Sequence, residues 1–104
     1  MPRRREVTDL YANILEVVKA YRGETRITRM SYGAGMPVDR LRPAVDRLVA
    51  LGLLKSREEE DHTLYEITVR GHEYLTTYWR LQGFLASLGD APPSPPEWTG
   101  GRRR

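Results

Sequence analysis

The chain has 104 residues, the length of one domain with a tail, and its 39% hydrophobic content supports one modest core. It contains no cysteine, which excludes disulfides, thiolate chemistry and cysteine-based metal sites, and no apolar run reaches the length of a membrane span. The net charge of +3 hides an asymmetry: residues 1–57 carry 12 Lys/Arg against 6 Asp/Glu, and residues 58–104 carry 5 against 8. Arginine outnumbers lysine 15 to 2, and a guanidinium grips a phosphate, or a guanine edge, through two hydrogen bonds. A compositional bias of the source genome produces the same arginine excess, but it does not produce the asymmetry between the halves.

The opening Met1-Pro2-Arg3-Arg4-Arg5 is basic and leads into an amphipathic segment, so it does not read as a signal peptide. Residues 1–5 are expected to form a basic arm of a cytoplasmic protein. Val7, Leu10, Ile14, Val17, Val18 and Tyr21 then share one face at helical spacing, which predicts a first helix over 6–22, stopped by Gly23. A short segment from Thr25 to Tyr32 follows, with the threonine placed to cap it. It ends at Gly33-Ala34-Gly35. Leu41, Ala44, Val45, Leu48 and Leu51 form the apolar face of a third helix closed by Gly52. Two short helices about a glycine-bearing turn, behind a longer first helix, describe a helix-turn-helix.

After Gly52 the period changes to two. Leu53–Arg57 and Thr63–Val69 flank the acidic run Glu58-Glu59-Glu60-Asp61, and Tyr65, Ile67 and Val69 alternate with Leu64, Glu66 and Thr68. This predicts a two-stranded hairpin with an acidic tip. From Gly71 the helical period returns, and Tyr74, Tyr78, Leu81, Leu85 and Leu88 step by 4, 3, 4 and 3 as a coiled-coil seam. Gly83 within it gives room for the close approach of a partner helix. Residues 89–104 carry four prolines in a polar context and are expected to form an extended or disordered tail. The expected fold is therefore mainly α with a small β-hairpin. A winged helix-turn-helix occupies residues 6–70, and a long C-terminal dimerisation helix occupies 71–88.

The run Thr28-Arg29-Met30-Ser31-Tyr32-Gly33-Ala34-Gly35-Met36-Pro37, followed by Leu41, Val45, Leu48 and Gly52-Leu53, together with Tyr65-Glu66-Ile67-Thr68-Val69-Arg70-Gly71, resembles small archaeal winged-helix DNA-binding proteins of the Sulfolobus nucleoid-protein type. The resemblance spans about residues 6–88. It implies a winged helix whose C-terminal helix pairs with a second copy as an antiparallel coiled coil. Three departures stand out: Ser31 in place of an apolar residue, Gly35 in place of the asparagine of the turn, and Pro43 within the third helix. A proline inside a helix removes a backbone donor, so that helix either starts near Pro43 or is kinked there.

By helix-turn-helix geometry, Arg40, Arg42 and Arg47 are the candidates to face bases and phosphates of double-stranded DNA, with Arg26, Thr28, Arg29 and Tyr32 as backbone contacts. Asp39 and Asp46 lie on the same helix and offer some of these arginines an ion-pair partner instead. Arg57, or else Lys55, at the base of the hairpin is expected to meet DNA. The acidic tip is expected to stay off it. Arg3, Arg4 and Arg5 form a possible arm along the backbone or into a minor groove, and Arg102-Arg103-Arg104 a second one from the tail. The homodimer interface is expected along Tyr74, Tyr78, Leu81, Leu85 and Leu88. No enzyme, cofactor, metal or membrane partner is expected, since His62 and His72 are isolated and Gly33-Ala34-Gly35 lacks the Lys-Ser/Thr of a phosphate loop. The expected role is regulation of transcription or nucleoid architecture. The alternative is a winged helix that serves as a protein-interaction module in a transcription or repair assembly. RNA binding ranks last, because the hairpin lacks the aromatic-bearing sheet that stacks bases.

Overall fold

The computed structural model describes residues 4–89, with side chains from Val7 onward. Four helices and three strands follow in the order α1 (Arg4–Ala20), β1 (Glu24–Thr25), α2 (Ile27–Ala34), α3 (Val38–Ala50), β2 (Leu54–Glu58), β3 (Thr63–Ile67) and α4 (Val69–Ser87). Helix α1 starts at Arg4, so Arg4 and Arg5 of the expected arm belong to its first turn, while Arg3 and the tail from residue 90 lie outside the described residues. Among the described residues no helix is long and apolar enough to cross a membrane.

Helix α1 is the hub. Besides the expected Ile14, Val17 and Val18, it buries Ala12 and Leu15, an arc wider than one stripe. The width follows from its neighbours, since α2, α3, α4 and the sheet all pack against it. Met30 of α2, Leu41, Val45 and Leu48 of α3, Leu54 of β2, and Tyr65 and Ile67 of β3 complete the core with Leu75 and Tyr78 of α4. The alternation read in the sequence thus places Tyr65 and Ile67 inward, but Val69, expected on the same face, opens α4 and is 76% exposed.

The sheet has three strands, not the two expected. The order is β1-β3-β2, all antiparallel, with Glu24 opposite Glu66 and Thr25 opposite Tyr65, and β2 runs from Leu54 opposite Ile67 to Glu58 opposite Thr63. Thr25 is consequently buried in β1 and does not cap α2; Arg26 takes the cap position, with no side-chain cap bond. Helix α3 begins at Val38, well ahead of Pro43, so the helix does not start at the proline. Pro43 lies in its second turn, and the missing donor costs only the bond to the Asp39 carbonyl on the exposed side of the helix.

One joint couples α3, the sheet and α4. Thr68 caps α4 by accepting the Gly71 N–H at 3.0 Å, and its hydroxyl donates to the Gly52 carbonyl at 2.7 Å. The backbone of Leu53 comes so close that a Cβ on Gly71 would stand 2.4 Å from its carbonyl oxygen and 2.6 Å from Ile67 Cγ1. Glycine is the residue that allows this approach. The Tyr-x-Ile-Thr-x-x-Gly pattern is thereby explained: inward side chains, a cap, and a contact that tolerates no side chain.

Three polar tips on α4 fasten it to α1. The Tyr74 hydroxyl donates to the Thr8 carbonyl at 2.7 Å, the Tyr78 hydroxyl to the Asp9 carboxylate at 2.6 Å, and the Trp79 indole N–H to Glu16 at 2.9 Å. The rings of Tyr78 and Trp79 meet edge to face at 4.9 Å, a favoured aromatic geometry.

Two outcomes follow from these contacts. Gly71→Ala forces an overlap at the joint and should lower stability by about 1–3 kcal/mol, the usual cost of overpacking, read from the denaturant midpoint. Burial, reinforced by the Asp9 charge, pushes the Tyr74 phenol up to about 12. The folded value lies above that of a free tyrosine, about 10. Its stabilising contribution is therefore complete below a pH of about 10 and is lost as the pH rises toward 12. The melting temperature should fall across that window, and fall less in Tyr74→Phe.

Candidate nucleic-acid interface

Helices α2 and α3 are held by their inner faces, with Met30, Leu41, Val45 and Leu48 fully buried. The turn between them is a clasp. Gly35 takes the left-handed conformation (φ 67°), which costs an L-residue other than glycine or asparagine roughly 1–2 kcal/mol. The Met36 N–H donates to the Ser31 carbonyl at 3.1 Å, and the Ser31 hydroxyl donates back to the Met36 carbonyl. The serine that departs from the family pattern therefore closes the turn.

The outer faces carry the charge. Arg26, Arg29, Arg40, Arg42 and Arg47 are all exposed, as are Thr28 and Asp39 and Asp46. Among the described residues no carboxylate lies within ion-pair distance of any of these five arginines, so Asp39 and Asp46 do not engage them. Arg29 lies over the Tyr21 ring at 5.7 Å, a cation–π contact that orients the guanidinium and leaves its charge in place. Tyr32, at the end of α2, is 87% exposed.

The hairpin is organised differently. Arg57 bonds Glu59 at 2.8 Å and reaches Glu24 of β1 at 3.5 Å, and both carboxylates raise its pKa. Lys55 lies 3.8 Å from Glu66. Both basic residues expected near DNA at the hairpin base thus already have anionic partners, and Arg57 acquires Glu24 only because β1 joins the sheet. At the tip, the Glu59 N–H donates to the His62 carbonyl at 2.8 Å and Thr63 bonds the Glu58 carboxylate. His62 Nδ1 lies 2.7 Å from Asp61, which holds the Asp61 carboxyl below its ordinary range.

The turn folds His62 back from the tip. With Thr63 and Tyr65 of β3 it lines a cleft of about 230 Å³ whose other wall is Arg26, Ile27, Thr28 and Arg42. His62 and Thr63 are the residues missed from sequence. No periodicity marks a loop residue as turned toward a helix distant in sequence. Among the described residues no group of side chains is arranged to hold a metal ion.

The expected coiled-coil seam divides in two along α4. Tyr74 and Tyr78 are spent on α1 of the same chain. Beyond them Leu81, Phe84 and Leu88 stand 51%, 60% and 66% exposed, with Leu85 half-buried between them. Phe84 belongs to this free stripe along with the expected leucines.

A helix-turn-helix with a three-stranded wing and a fourth helix defines the winged-helix class. The chain belongs to the winged helix-turn-helix family, whose model matches residues 4–85. No curated protein matches the sequence. Among solved structures it is similar to Sso10a-2, a DNA-binding protein from Sulfolobus solfataricus, at 25% identity and a TM-score of 0.66, over 93% of this chain and 96% of that one. It shares its fold with a MarR-family transcriptional regulator from Silicibacter pomeroyi (20% identity, TM-score 0.64, 96% and 79% covered). The same holds for a winged-helix DNA-binding protein from STIV (18%, TM-score 0.63, 68% and 84% covered).

Proposed function

We propose that this chain binds double-stranded DNA as a homodimer, in the nucleoid of the cytoplasm, as a transcriptional regulator or architectural protein and not as an enzyme. The observation that carries the reading is the division of charge between the two motifs. Five arginines on the helix-turn-helix are exposed and, among the described residues, have no carboxylate in ion-pair reach, while the basic residues of the wing are matched by acids. Exposed cations that are not held in ion pairs are what polyanion binding uses, because each neutralised phosphate releases condensed counterions. In this reading α3 enters the major groove, Arg40, Arg42 and Arg47 address bases and phosphates, and Arg26, Thr28, Arg29 and Tyr32 rest on the backbone. Arg3, Arg4 and Arg5 add backbone contacts. The likeness to Sso10a-2, itself a DNA-binding protein, supports the same assignment.

The dimer reading rests on Leu81, Phe84, Leu85 and Leu88. They continue the helix past the part covered by α1, and such a stripe gains most by pairing with its own copy. The acidic, exposed tip Glu58–Asp61 favours a second reading, in which the wing meets a basic protein partner and DNA is not bound.

Fluorescence anisotropy with duplex DNA across a salt series separates the two. The first reading expects a steep salt slope, roughly 0.9 per phosphate contacted. It also expects a large loss of affinity in Arg40→Ala/Arg42→Ala/Arg47→Ala, and little change in Arg57→Ala. Absence of binding at low salt defeats it in favour of the protein partner. Sedimentation should find a dimer for the intact chain and a monomer for Leu81→Glu/Leu88→Glu; an intact chain that stays monomeric contradicts the dimer.

A further inference from the structure

The cleft between wing and helix-turn-helix joins two guanidinium groups and an imidazole from three separate elements. Arg26 comes from the α2 cap position, Arg42 from α3 and His62 from the wing turn, with the hydroxyl-bearing Thr28 and Thr63 beside them. The cleft is about 230 Å³, which is room for a phosphate group with part of its sugar. The first turn of α2, whose cap position supplies no side-chain bond, adds N–H groups from the same wall. Neither arginine has an ion-pair partner among the described residues.

We propose that this cleft seats one backbone phosphate of the bound duplex, and that protonation of His62 strengthens the seat. The inference rests on the DNA-binding reading and adds to it a site and a dependence on pH. The charges around His62 set the sign. From the wing it faces Asp61 at 2.7 Å, with Glu58, Glu59 and Glu60 in the same turn. From β3 comes Tyr65, from α2 Arg26, and from α3 Arg42. With a neutral imidazole, the Asp61 carboxylate keeps its full charge beside the cleft and opposes a phosphate. A protonated imidazole offsets Asp61 and adds a charged donor, so the cleft passes from one net positive charge to two, counting Arg26, Arg42, Asp61 and His62. Binding a phosphate there favours the protonated form, so affinity is expected to rise as the pH falls. A wing with an acidic tip thus contributes through its folded-back side.

The test is duplex affinity measured by anisotropy between roughly pH 8 and pH 6, for the intact chain and for His62→Asn, His62→Gln and His72→Asn, each checked for native circular dichroism. The intact chain and His72→Asn should gain about threefold to tenfold in affinity toward low pH, tenfold per pH unit being the limit for one linked proton. Their salt slope should steepen by up to roughly 0.9. Both His62 variants should stay flat across the same pH range. Binding that depends on Arg40 and Arg47 but is flat with pH, or that keeps its pH response in both His62 variants, overturns the phosphate seat and leaves the DNA-binding reading standing. Absence of duplex binding at every pH overturns both.

Discussion

The rest of the fold depends on one close approach, the Leu53 carbonyl lying where a side chain of residue 71 would be. Three elements meet there. Leu53 follows the end of α3, Ile67 ends β3, and Gly71 lies in the first turn of α4. Thr68 ties the same three with a cap to Gly71 and a bond to the Gly52 carbonyl. The angle of α3 to the wing is thus set by backbone contact, which has none of the slack of long side chains. A helix that reads DNA needs that rigidity, because hydrogen bonds to base edges lose their value within fractions of an ångström.

From this joint the molecule divides into a part that is neutralised and a part that is not. Arg57 and Lys55 of the wing sit with Glu59, Glu24 and Glu66. Such exposed pairs add little stability. Their consequence is electrostatic: the wing presents an acidic tip and matched flanks, while the arginines of α2 and α3 keep their field. A polyanion approaching such a surface is drawn to the helices and pushed from the tip, so the charge pattern sets orientation as well as attraction.

Much of this was legible in the sequence, and the physical reason differs by element. The stripe of α1, the glycine turn and the apolar spacing of α3 as far as Leu48 are local patterns, whereas Leu51, expected on the same face, lies past the helix end and is exposed. These patterns read correctly because helical period and turn chemistry are local properties. Strand β1 did not read: two residues carry no period, and Glu24–Thr25 become a strand only because β3 offers an unpaired edge. The pairing of Arg57 with Glu24 did not read either, because the two lie 33 residues apart. The seam of α4 read as one continuous stripe, but spacing cannot reveal that its first half is covered by α1 through Thr8 and Asp9. Pro43 reads as a breaker by rule, yet the exposed side of α3 absorbs it.

The most direct test of the central claim is amide chemical-shift mapping of the protein against duplex DNA. Shifts should concentrate in residues 26–47 and at His62–Tyr65, with Glu58–Glu60 unmoved. Shifts confined to the hairpin tip or to α4, with α3 silent, would contradict it.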